Sequence, residues 1–423
     1  MDFFLFVLVT GVMFVRPTDF VPGLAGVPLY QIFIVSCMVV SWNRLASRLT
    51  SNAFREDPTA VMAVGILLVS LVSNLAHGDL DTALDFGDRF GKSVLFYLLL
   101  VGVIDSPVRL RRFLACLVGF DLVPTILALL QYHGMINIPA FIAMDEGGVL
   151  RLHATGLFGD PNDFCEILNT AMLFSLYRLM HRGRGWSRLL WLAPIPVLGF
   201  ALSLTQSRGG FLGTMAGFLV LFWARYGRRK TIMLAAVALP VMLFLFSGRQ
   251  TSLSTSQGTS QQRIQLWNEG FMMLKQSPVW GIGTGQFVQH AGLVAHNSFV
   301  HAYAELGLLG GTLFFGMYYR VLTGLARLGS TTKRIRDPEI RHARPYIMAA
   351  VASCAVSQMS LSRCYGVPTY AILGIGAVCI RLAAADTSFD DPQLDKRIAF
   401  RVIRASLIFL VCLYVFARLA VRW

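Results

Sequence analysis

RLRRFLACLVGFDLVPTILALLQYH, residues 109–133, sets a cluster of arginines against a long apolar run. A helix that crosses a bilayer needs about 20 mostly apolar residues, and residues 112–133 have that length. Arg109, Arg111 and Arg112 stand at one end of the run, as basic residues stand at the cytoplasmic end of a span. The pattern recurs along the whole chain. Candidate spans fall at about 1–15, 24–43, 58–77, 90–105, 112–133, 161–181, 188–205, 210–225, 230–247, 297–320, 345–362, 367–384 and 402–420. The first and fourth are short, and the last could lie in the interface instead. The expected fold is all-α: a polytopic transmembrane helix bundle of about 12 or 13 spans, read as a single membrane domain over residues 1–423.

Composition points the same way. Of 423 residues, 55% are hydrophobic and 14% charged, against about 25% charged in a soluble domain. Lipid must therefore be the solvent for much of the surface. The net charge is +14, from 37 Lys and Arg against 23 Asp and Glu. In a soluble protein that excess would suggest nucleic acid. Here it is divided among short clusters between apolar runs, the form that topology signals take, so nucleic acid is not the expected partner. The seven cysteines include no CxxC pair, and most lie inside apolar runs. They read as small buried hydrophobes, with neither a disulfide framework nor a metal site. Asp2 to Val15 lacks a basic leader and a small-residue cleavage site, so it reads as a retained first helix.

With a cytoplasmic N-terminus, the inside loops collect Arg44, Arg48 and Arg55, then Arg109 to Arg112, Arg182 to Arg188, and Arg225 to Lys230. Further inside clusters run from Arg327 to Arg344 and from Lys396 to Arg404, and about 26 of the 37 basic residues fall on that side. The opposite orientation would break the positive-inside rule at nearly every loop. The outward loops are then about 78–89, 134–160, 206–209, 248–296 and 363–366, and each rare basic residue in them needs a reason. The largest, 248–296, opens on a polar tract from Ser252 to Gln262, which has little to bury. Ile264, Trp267, Phe271 and Leu274 follow at helical spacing, which predicts a helix on the outer leaflet or capping the bundle. Gly281, Gly283 and Gly285 then predict a tight, irregular turn.

Candidate functional groups stand in these outward segments. Arg263 opens the amphipathic helix, and a guanidinium there offers forked donors to a diphosphate. The plainer reading is a side chain snorkelling to phospholipid headgroups. Arg208, in Gln206-Ser207-Arg208-Gly209-Gly210, sits in a tight outward turn, where it either binds a ligand or marks the interface. His296 stands where the long loop re-enters the membrane and has the chemistry to take a proton from a hydroxyl. Asn297 and Ser298 beside it suit a helix cap, and His290 and His301 are nearby alternatives. Glu305 is an intramembrane carboxylate, a functional suspect that could instead pair with an arginine of another span. In Gly159-Asp160-Pro161-Asn162-Asp163-Phe164, Asp160 reads as an N-cap with Pro161 at the first helical position, which leaves Asp163 and Glu166 as spare acids. No dinucleotide fingerprint, Walker motif, HExxH or GxSxG is present.

The order of these pieces resembles the bacterial O-antigen ligase/polymerase family. The matching features are Ser207-Arg208-Gly209-Gly210 after a span, Arg263 and Trp267 in a large outward loop, Pro278 to Gly283, His296-Asn297-Ser298-Phe299, and Glu305 to Gly310. They concentrate over about 155–315. The resemblance implies a metal-independent membrane glycosyltransferase without a cofactor, of the GT-C type, in the bacterial inner membrane with its site facing the periplasm. It would move a glycan from undecaprenyl diphosphate to an acceptor hydroxyl. The acceptor would be lipid A core in lipopolysaccharide assembly, a growing glycan in polymerisation, or a protein. By motif, Arg263 and Arg208 would bind the diphosphate and His296 would be the catalytic base, with Asn297, Asp163 and Glu305 as possible support. The competing reading is a polytopic transporter of a small anion or a lipid-linked glycan. The absence of a visible internal repeat and the large outer loop weigh against it.

Overall fold

The computed structural model describes residues 1–145, 148–245, 259–330, 335–386 and 395–421. It is helical apart from a ribbon in which Met144 and Asp145 pair with Arg151 and Leu150. The first helices are α1 (Asp2–Val15), α2 (Leu29–Val40), α3 (Trp42–Arg48), α4 (Ser51–Glu56), α5 (Pro58–Ala76) and α6 (Leu80–Val103). Then come α7 (Pro107–Tyr132), α8 (Pro161–Leu179), α9 (Pro194–Leu204), α10 (Arg208–Leu245) and α11 (Thr259–Gln276). The rest are α12 (Gln286–Ala291), α13 (Ser298–Ser330), α14 (Pro338–Ser357), α15 (Val367–Asp386) and α16 (Lys396–Ala420). The first apolar run is helical over Asp2–Val15.

Among the described residues, five helical stretches are long and apolar enough to cross a membrane: Pro58–Ala76, Pro107–Tyr132, Gly185–Leu204, Val367–Ala385 and Lys396–Ala420. A sixth is added if α2 and α3, bent by 76° at their junction, count as one span. The chain is an all-α, multi-pass membrane protein, and its last helix has the length and apolarity of a span. The expected 12 or 13 spans are not reached on this measure, for two physical reasons. Helix α1 has 14 residues, too few to qualify. Others carry polar groups because they face protein: in α8, Asn162, Asp163, Glu166, Asn169 and Arg178 are all buried. A helix ringed by other helices need not be apolar. The ninth expected span, 230–247, falls on the second limb of α10 as far as Leu245; 246–247 lie outside the described residues, as do 252–258 of the polar tract and 331–334 of the Arg327 to Arg344 cluster.

Between helices in lipid there is little hydrophobic drive, so close packing and interhelical hydrogen bonds decide the arrangement. Helices α8, α10 and α14 show both. A Cβ added at Gly213 would lie 2.2 Å from the Ser357 hydroxyl, and one at Gly217 would lie 3.1 Å from Cβ of Ser353. These two glycines let α10 and α14 touch backbone to side chain. Asn169 of α8 donates to the Gly210 carbonyl at 3.1 Å and accepts from the Thr214 hydroxyl at 2.5 Å. The start of α10 is thereby held at a fixed height in the bundle.

Helix α13 breaks at Gly307, which adopts φ 66°. The loop at 278–283 fills the break: Leu308 N–H donates to the Pro278 carbonyl at 2.8 Å, and Ile282 and Gly283 donate to the carbonyls of Ala304 and Glu305 at 3.0 and 3.1 Å. Gly281, at φ 74°, lies against the Glu305 backbone, where a Cβ would come within 2.2 Å. Backbone groups freed by the kink are thus satisfied inside the protein, as an irregular segment in a membrane requires.

Candidate functional site

Helix ends meet at one end of the bundle around a polar cavity of about 270 Å³. Its lining includes Arg208, Arg263 and His296, together with Arg151, Asp160 and Asn162. The three residues singled out from separate segments of sequence therefore share one space. His290 and His301 do not line it. His290 is exposed, with Nδ1 2.9 Å from the Gln286 carbonyl, while His301 is buried 3.0 Å from Glu305.

Each cationic group is placed by its local structure. Arg208 is the first residue of α10 and donates to the Ser260 hydroxyl at 3.0 Å, linking α10 to the start of α11. Ser207 before it caps the helix, its hydroxyl accepting from Gly210 N–H at 3.0 Å and donating to Asn162 at 2.7 Å. Arg263 projects from the first turns of α11. That helix is no surface float: Ile264, Leu266, Phe271 and Met273 are buried, and it packs on α13 and α16. Of the two positions expected for it, the structure shows the one that caps the bundle.

His296 takes a left-handed conformation, φ 49°, which is uncommon for a residue with a Cβ. It is clamped from both sides. Ala295 before it accepts from the Trp267 indole N–H at 3.0 Å. Asn297 after it is fully buried and caps α13, accepting from the N–H groups of Phe299 and Val300 at 3.0 and 3.2 Å. Ser298 next donates to the Leu361 carbonyl at 2.7 Å and accepts from Arg363 N–H at 2.8 Å. The cap reading and the functional reading of this segment are compatible: the cap aims the histidine.

Arg151 was not singled out from sequence. It is 5% exposed, and donates to the Thr205 carbonyl at 2.9 Å and to Asn162 at 3.0 Å. The signal that marks it is its position as a basic residue in loop 134–160, which the charge pattern is expected to turn outward. Asp160 is the N-cap of α8, accepting from Asn162 N–H at 2.7 Å, as its sequence context suggested.

The supporting acids stand elsewhere. Asp163 is not spare: it is buried and pairs with Arg363, whose Nε donates at 2.8 Å. Glu166 accepts from Cys354 at 3.0 Å and Gln358 at 2.8 Å. Glu305 has no exposed surface and lies outside the cavity lining. Among the described residues its partners are not an arginine but His301, the Tyr365 hydroxyl at 3.0 Å and the N–H groups of Gly285 and Phe287 at 2.8 and 3.3 Å. It fastens the glycine turn to α13.

Among the described residues, the cavity lining sets three arginines and a histidine beside one carboxylate, Asp160. The arrangement defines a polytopic membrane protein with a polar, arginine-lined cavity at the helix ends. Residues 193–315 match the family profile described as O-antigen ligase. Over that stretch the chain is similar to O-antigen ligases. A search of curated proteins gave no match.

Proposed function

We propose that the chain transfers a glycan from undecaprenyl diphosphate to an acceptor hydroxyl at the outer face of the bacterial inner membrane. The observation that carries this reading is the convergence of Arg208, Arg263, Arg151 and His296 on one cavity. Arg208 and Arg263 hold the diphosphate, with Arg151 at the same wall. His296 takes the proton from the acceptor hydroxyl as its oxygen bonds to the anomeric carbon of the donor sugar. The bond from that carbon to the diphosphate oxygen breaks, and the electron pair leaves with the phosphate. Guanidinium donors fixed in advance stabilise charge that grows on that oxygen, so the step is expected to run without a metal ion. The positive-inside pattern supports a cytoplasmic N-terminus and a periplasmic cavity.

The test uses purified protein in nanodiscs with an undecaprenyl-diphosphate oligosaccharide, with and without lipid A core or acceptor protein. A ladder of longer glycans made without added acceptor, and absent from His296→Ala, identifies a polymerase. Product that appears only on adding one acceptor identifies a ligase for that acceptor. No product under any condition rejects the transferase reading.

A further inference from the structure

A second and larger cavity, of about 490 Å³, opens at the same end of the bundle between α1, the segment after it, α6 and the loop before α15. Val12, Met13, Val27, Leu29 and Leu157 make part of its wall apolar. Arg16, Arg89 and Lys92 also line it, and among the described residues no carboxylate does. Their partners Asp19, Asp85 and Asp88 stand outside the lining. Exposed pairs of this kind are worth little, so the three cations are available to an anion. The Tyr30 hydroxyl is buried in the same wall without a hydrogen-bond partner among the described residues.

The two cavities are neighbours. Leu157 lines the large one and Asp160 the polar one. Three residues of chain reach at most about 11 Å. Arg16 packs on the chain just before Leu157: a Cβ at Gly156 would come 2.1 Å from its guanidinium. An amphiphile seated in the large cavity would thus hold its head close to the polar one.

We propose that the large cavity seats the acceptor as a lipid bearing a phosphate, its chain on the apolar wall and its phosphate on Arg16, Arg89 and Lys92. This rests on the transferase reading and narrows it: the acceptor is a phospho-lipid glycan, not a protein. The charge complement and the joined apolar wall favour that occupant over free phosphate, which has no use for the wall. The acceptor sugar then extends past Leu157 towards His296.

The experiment places the protein in phosphatidylcholine nanodiscs with a diazirine-tagged polyprenyl monophosphate, using Arg263→Ala to weaken the donor site. Label is expected on residues 12–31 and 89–93. It should fall roughly tenfold in the R16Q/R89Q/K92Q variant, whose cations are exposed enough to be replaced without unfolding. Inorganic phosphate should not compete. A diazirine-tagged neutral diacylglycerol should label the triple variant and its parent equally. The proposal is overturned if the phosphate probe marks this wall no more than the neutral probe does, or if the triple variant keeps the label. Leu157→Trp fills the cavity without touching the charges, and it should raise KM for the lipid acceptor while donor binding stays unchanged. If Arg263→Ala retains full transfer, the donor-site reading fails instead, and the labelling result still stands by itself.

Discussion

His296 occupies a strained backbone position and is the one histidine of its neighbourhood that lines the polar cavity. Its replacement by alanine keeps the Cβ and the left-handed backbone, so the thermal midpoint should hardly move. Transfer should fall by about 10² to 10⁴, the usual contribution of a positioned base, while donor binding measured by lipid-diphosphate titration stays intact. A variant that transfers normally would remove the base from the proposal. Arg151 gives a second test at this scale. Arg151→Lys keeps the charge but not the fork that bonds Thr205 and Asn162 together. The expected result is weaker donor binding and a loss of transfer of roughly tenfold or more. Lysine performing as well as arginine would show that only charge matters there.

At the scale of elements, Trp267 links helix α11 to the strand of chain before α13. Trp267→Phe keeps most of the packing and removes the indole N–H that bonds Ala295. It should cost about 1 kcal/mol of stability and lower kcat more than it raises donor KM, because His296 loses one side of its clamp. Equal changes in both would mean that the bond serves folding alone. Gly217→Leu addresses the contact of α10 with α14. Its side chain would enter the space now closed by Ser353 and Leu173, and overpacking of this kind costs about 1–3 kcal/mol. A lower thermal midpoint with lost donor binding is expected, since the start of α10 carries Arg208. An unchanged midpoint would show that the two helices can part without cost.

For the whole molecule, the expected orientation assigns the basic clusters to the cytoplasm and both cavities to the periplasm. The other end of the bundle carries the linked charges of Asp2, Arg44, Asp105 and Arg109, and of Arg111 with Glu339. A cysteine introduced at Ser277 in a cysteine-free background should react with an impermeant maleimide from the periplasm, and one at Arg48 should not. The reverse pattern would turn the proposed site to the cytoplasm and defeat it. Transfer should also proceed unchanged in excess chelator, because arginines supply the charge that a metal would. Loss of activity restored by one divalent ion would require a ligand set that the present reading does not name.

Much of this was legible in the chain itself. Apolar runs of bilayer length make the helices, because backbone groups in lipid can bond only within their own segment, and α1, α5, α7 and α15 stand close to where the runs predict them. Arginine 208, arginine 263 and histidine 296 were visible because basic groups are rare in the outward loops and each stands next to a turn or cap signal. Sequence could not count the spans by apolarity, because α8 is buried among protein and is free to carry polar groups. Nor could it choose among His290, His296 and His301, or show that Asp163, Glu166 and Glu305 already hold partners. Those partners lie up to 200 residues away, as Arg363 does from Asp163. Short-range pattern fixes which residues are helical and which end of a helix they mark. Only the packing of helices distant in sequence brings Arg151, Arg208, Arg263 and His296 to one cavity, and it ties the remaining acids into the frame that holds them there.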